Sequence, residues 1–174
     1  MNKITNRGDD LSEFLTGYQY QPELTKYLDG LDAQPFGQGI VNEIVLWKVN
    51  RHAPLGSAAL EALNSVVDLE SGSHRFTFNV IAALLRERGV DLPMASTFLR
   101  FRNPRVFQII DRHAYRAIYG NDYPLYPGSK DEEKIELYLH YLDDLVDLAR
   151  SKNLEFRTLD RLLYIFDKKT NGKL

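Results

Sequence analysis

The stretch that decides the fold reads Gly89-Val90-Asp91-Leu92-Pro93-Met94-Ala95 and, after a short helical segment, Ile109-Ile110-Asp111-Arg112-His113-Ala114-Tyr115-Arg116. A glycine turn that leads into a helix leaves backbone N–H groups without intrahelical partners and presents the positive end of the helix dipole. Together these hold a phosphate oxygen. Asp111 lies 16 positions beyond Ala95. A carboxylate held beside the sugar of a nucleotide pinned by that phosphate can act as a general base on water. It can equally stabilise the oxocarbenium-like charge that develops when a base leaves its sugar. The same aspartate also reads as the N-cap of a helix, a role with no chemistry attached.

This pattern resembles the helix-hairpin-helix DNA glycosylase superfamily, and in its spacing the endonuclease III-like members. Their hairpin has the form Gly-Val-Gly-x-Lys-x-Ala, and their catalytic aspartate opens a later segment carrying a histidine and an arginine. Gly89 to Ala95 fits the first part, and Asp111, His113 and Arg116 fit the second. The resemblance implies an all-α, two-lobed fold in one domain over residues 1–174, with the first and last parts of the chain sharing a lobe. A helix-hairpin-helix element falls at about 76–103 and a catalytic-type aspartate segment at 109–120.

For function, the resemblance implies base-excision DNA repair on double-stranded DNA, damaged or abasic. Asp111 would be catalytic, with His113 and Arg116 shaping its surroundings. Backbone amides at Gly89, Val90 and Asp91 would bind DNA, with phosphate contacts from Arg86, Arg88, Arg100 and Arg102. Two departures stand beside the matches. The second hairpin glycine is Asp91, whose charge repels a phosphate and whose side chain loads a turn suited to glycine. The position of the lysine nucleophile of bifunctional members holds Pro93, so no Schiff-base lyase step is available there. The expected activity is a monofunctional N-glycosylase with water as nucleophile. The alternatives are a non-catalytic helix-hairpin-helix module that binds nucleic acid or protein, and a general helical interaction protein.

Outside this stretch, Trp47-Lys48-Val49-Asn50-Arg51-His52 places an indole beside two cations. Trp47 could stack on an extruded base while Lys48 and Arg51 hold its backbone phosphate, or Trp47 could be core with the cations reaching to solvent. Tyr115, with Tyr119, Tyr123 and Tyr126 following it, admits the same two readings.

Composition agrees with a folded helical domain. The 174 residues suffice for one core, and the 44% hydrophobic and 26% charged fractions are those of a globular chain. No apolar run approaches the ~20 residues of a membrane span, and the first residues lack the apolar core of a signal peptide, so a cytoplasmic, or in a bacterium nucleoid-associated, protein is expected. The absence of cysteine excludes disulfides, thiol catalysis and the cysteine-held iron–sulfur cluster of some of the resembled enzymes. Histidines at 52, 74, 113 and 140 have no ligand spacing; neither metal nor cofactor is expected. The net charge of −2 is low for a DNA binder, but it is segregated. Between Arg86 and Arg116 seven arginines face three carboxylates, while seven carboxylates between Asp131 and Asp147 face Lys134 alone.

Helices are expected over 9–17, 22–29, 40–48, 58–69, 76–87, 95–101, beyond 111, 130–152 and 156–168, with Pro22 in a first-turn position, Gly89 as a stop signal and Ser129 as a cap paired with Glu132.

Overall fold

Apolar stretches of helical period, punctuated by glycine and proline, become eight α-helices in a computed structural model, which describes residues 2–6, 11–31, 34–49 and 55–172. They are α1 (Pro22–Asp29), α2 (Gln38–Val49), α3 (Ser57–Asn64), α4 (Phe78–Leu85), α5 (Leu92–Arg102), α6 (Arg112–Tyr119), α7 (Asp131–Lys152) and α8 (Leu159–Thr170). Short 3₁₀ turns at Ile4–Asn6, Leu11–Gly17, Ser73–Thr77 and Phe156–Thr158 complete the order, and the described residues contain no strand. The fold is all-α. None of the described helices is long and apolar enough to cross a membrane.

Local signals act much as their chemistry dictates. Pro22 opens α1, where its missing N–H costs nothing. Gly89 takes a positive φ of 82° in the turn between α4 and α5. Ser129 behaves differently from its expected role. Its hydroxyl accepts from Tyr126 N at 3.1 Å within the preceding turn, and α7 starts behind Lys130 without a side-chain cap. The hydroxyl is consumed by the loop before it can serve the helix.

The core is one continuous apolar cluster to which every helix contributes. Within it, the Leu11–Gly17 turn packs on α8, α8 packs on α6, and Asn2 donates its backbone N–H to Asn171 Oδ1 at 2.8 Å, so the first and last described residues lie together. Elsewhere α2, α3 and α4 pack on α5, with α7 lying across α4 and α5.

The segment joining α5 to α6 is irregular yet buried, so its polar groups need partners inside the protein. Asn103 Nδ2 donates to Val66 O at 2.8 Å and Leu69 O at 2.9 Å. From α7, Tyr138 and Tyr141 donate their hydroxyls to Gln108 O at 2.8 Å and Ile109 O at 2.9 Å. Ile110 N donates to Ser96 Oγ at 3.2 Å. This scaffold fixes where Asp111 emerges.

Candidate functional site

Asp111 is the N-cap of α6. Its Oδ1 accepts from Ala114 N at 2.8 Å, as the capping reading of the sequence requires. The other oxygen, Oδ2, is not used by the helix. It lies 3.8 Å from Lys48 Nζ, with side-chain exposures of 27% for Asp111 and 17% for Lys48. Both line a cavity of about 170 Å³ whose walls are also built by Tyr18, Tyr20, Trp47 and Tyr164. The acid is therefore a cap and a cavity group at once, because one carboxylate has two acceptor oxygens.

The aromatic walls come from separate parts of the chain. Tyr20 stacks edge-on against Trp47 and donates its hydroxyl to Trp47 O at 2.7 Å, while Tyr18 meets Tyr164 edge-on. Burial first, and then the charge of Asp160, push the Tyr18 hydroxyl far above its ordinary pKa, so it remains a neutral donor. Asp160 and Arg161, from the first turn of α8, close the floor.

Two ion networks hold this arrangement. In the first, Arg100 of α5 pairs with Asp29 of α1 and Asp160 of α8, and Arg161 also binds Asp29. Burial alone would raise the Asp29 carboxyl, but the Arg100 charge and the hydrogen bonds from Arg161 and Arg100 bring it below its usual range. In the second, the fully buried Asp167 of α8 accepts from Arg116 Nε at 2.8 Å and Nη2 at 2.7 Å, and His113 Nδ1 lies 2.7 Å away. Burial opposes ionisation of Asp167 too, and the bonds from Arg116, His113 and Asn171 outweigh it, leaving its carboxyl lowered.

Several expected roles are corrected by these contacts. Arg100 and Arg102 are each 3% exposed and cannot reach DNA. The first is consumed by Asp29 and Asp160, and the second donates to Asn64 Oδ1 at 3.0 Å and lies over the Phe36 ring. His113 and Arg116 do not line the cavity; they fasten α6 to α8, and His113 reaches the site only through its edge contact with Tyr164. Trp47 forms cavity wall but is 5% exposed, packs on Phe101 and donates Nε1 to Thr25 Oγ1 at 2.7 Å, so it is a core residue with no free face for a base. Tyr115 stacks with Tyr119 and Tyr123 outside the cavity lining.

The hairpin differs from its expected form as well. Asp91 takes extended backbone angles and caps α5 by accepting from Leu92 N at 2.8 Å, so a side chain there strains nothing. Lys134 Nζ sits 2.9 Å from the same carboxylate. Val90 N donates to Glu87 O at 3.1 Å, so the amides expected to hold a phosphate are in part already satisfied. None of Gly89, Val90 and Asp91 lines the cavity. Arg86 and Arg88 are exposed beside this turn, and Arg51 lies outside the described residues.

The sequence reading brought Asp111, Lys48 and Trp47 to the site but missed Tyr18, Tyr20, Asp160, Arg161 and Tyr164. One signal was available: Arg161, Tyr164 and Lys168 recur at helical spacing on the polar side of α8, opposite Leu162, Leu163 and Phe166. Lys168 extends this stripe from the cavity, lying 4.9 Å over the Tyr164 ring. Among the described residues no group of three or more potential ligands could hold a metal ion. Comparison with protein families, with curated proteins and with solved structures finds no match to this chain.

Proposed function

We propose that this protein is a DNA N-glycosylase in a two-lobed helix-hairpin-helix fold, taking a damaged or mismatched nucleotide flipped out of a duplex into the cavity beside Asp111. The observation that carries this reading is the Oδ2 of Asp111, which faces Lys48 at 3.8 Å in an aromatic-walled cavity while Oδ1 is anchored by the helix it caps. A carboxylate fixed in this way needs no reorganisation to face charge developing at C1′. It also stands ready to take a proton from the attacking water. Water attacks C1′, the C1′–N bond breaks, and the base departs with its electron pair. Lys168, over the Tyr164 ring, and the exposed Arg112, next to Asp111 at the start of α6, supply positive charge beside residues of the cavity lining, the role expected of phosphate contacts.

The test is single-turnover release of free base from duplexes that each carry one lesion or mismatch, with the intact chain and with Asp111→Asn. Asparagine keeps the helix cap but cannot take a proton, so release should fall by about 100-fold or more. No release from any duplex, or equal release by the variant, would overturn the reading. A second reading has one observation in its favour: Asp91 and Lys134 occupy the start of α5, as suits a non-catalytic module. That module would bind abasic duplex with salt-dependent affinity and release no base.

A further inference from the structure

We propose that the Tyr18 hydroxyl is the donor to the departing base: it hydrogen-bonds the carbonyl oxygen beside the glycosidic nitrogen of a one-ring base and stabilises the charge that collects there as the C1′–N bond breaks. This rests on the glycosidic-bond reading, to which it adds a second group touching the reacting atoms. Tyr18 follows the Leu11–Gly17 turn that packs on α8. Its ring is clamped from α8, with the Arg161 guanidinium 5.3 Å from its centroid and Tyr164 meeting it edge-on at 6.3 Å. Within this clamp the hydroxyl is unspent. Among the described residues it makes no hydrogen bond, and its oxygen keeps accessible surface on the cavity. The other polar groups of the lining are engaged. Tyr20 donates to Trp47 O, the Tyr164 hydroxyl accepts from Lys168 Nζ at 3.2 Å, Asp160 Oδ1 accepts from Arg161 N at 2.9 Å, and Lys48 faces Asp111. A ligand that expels water from the cavity leaves the Tyr18 hydroxyl in need of an acceptor.

Size and charge define the ligand that supplies one. The cavity, about 170 Å³, is close to the ~150 Å³ that takes up a benzene ring, so it has room for one ring rather than two fused ones. Burial, and then the Asp160 charge, keep Tyr18 protonated, while the nearby Arg161 charge polarises its O–H bond. As the C1′–N bond breaks, the electron pair passes to the ring nitrogen and spreads onto the neighbouring carbonyl oxygen. A fixed donor in a site cleared of water acts most strongly at that point. Tyr18 shares its proton without giving it up. The base leaves as an anion and takes a proton from solvent, while Asp111 receives the proton of the attacking water.

The experiment is single-turnover base release from duplexes carrying one uracil or one 5-fluorouracil opposite guanine, with the intact chain and with Tyr18→Phe, its fold checked by circular dichroism. Phenylalanine keeps the ring and removes only the donor. Uracil release should fall by about 100-fold, the usual loss for one such donor. Release of 5-fluorouracil should fall by roughly tenfold less, because fluorine already stabilises the departing anion. Tyr27→Phe, altered at an exposed site on α1, should release both like the parent. A second measurement needs no variant: the intact chain should release 2-thiouracil roughly tenfold more slowly than uracil, since sulfur is the poorer acceptor, although its anion is the more stable. Equal losses for the two bases in Tyr18→Phe, no loss, or 2-thiouracil released as fast as uracil overturns the inference. So does release of another base but not of uracil, which leaves the role of Asp111 standing; no base from any duplex removes that role as well.

Discussion

Asp111 shows how little separates a structural residue from a chemical one. A short acid before a helix is stabilising wherever it occurs, because it satisfies an amide the helix cannot. Here one oxygen does that work, from Ala114 N, and the other faces Lys48. The two roles separate on substitution. Asp111→Ala should lower stability by about 1 kcal/mol through loss of the cap, a fall in Tm of roughly 2–4 °C for a chain of this length. Asp111→Asn should melt within about 1 °C of the parent, since its side chain caps equally well. Thermal unfolding of the three proteins checks this, and an asparagine variant as unstable as the alanine one would mean that the charge, facing Lys48, carries the stability.

The start of α5 is where a local change redirects a whole element. A glycine-turn helix start binds anions only while its amides are free; Asp91 fills one of them with its own side chain and draws Lys134 of α7 onto the same carboxylate. Asp91→Gly should strip both contacts. Stability should fall by more than the few tenths of a kcal/mol that glycine costs at an N-cap, because Lys134, whose side chain is only 7% exposed, loses its counter-charge and keeps Pro127 O as its partner. Affinity for abasic duplex should rise, with a steeper dependence on salt as one more positive site meets phosphate. Fluorescence anisotropy at several salt concentrations reads both, and unchanged binding would remove this turn from the DNA-facing surface.

Across the molecule, carboxylates hold distant parts of the chain together. Asp29 ties α1 to α5 and α8, and Asp167 ties α8 to α6 beside the contact between Asn2 and Asn171. Both have pKa values lowered by their arginine partners. A lowered folded-state pKa means that the unfolded chain takes up protons first as pH falls. Stability from these groups is fully present above the unfolded value of about 3.9 and is lost as pH drops through the folded-state values. Urea midpoints should therefore show no loss from these two groups between neutral pH and about 4.5 and fall steeply below about 3.9. Asp167→Asn should remove part of that acid sensitivity while costing about 3–5 kcal/mol at neutral pH, because Arg116 is left buried and unpaired. A variant with an unchanged acid slope would show that other groups carry it.

The helical class was legible in the residues alone. So were the helix that opens with Pro22, the turn at Gly89 and the cap at Asp111, because each depends on backbone chemistry within a few positions. So was the choice of Asp111 and Lys48 as polar groups worth watching. Which arginines are available for a partner was not legible. Arg100 and Arg102 read as surface charge until Asp29, Asp160 and Asn64 arrive from other helices to bury them. The cavity was hidden for the same reason. Tyr18 and Tyr20 precede α1, Lys48 ends α2, Asp111 begins α6 and Tyr164 lies on α8, so no pattern in sequence order joins them. Periodicity records which face of one helix is apolar; only packing between helices decides which side chains from different faces meet, since that depends on contacts distant along the chain.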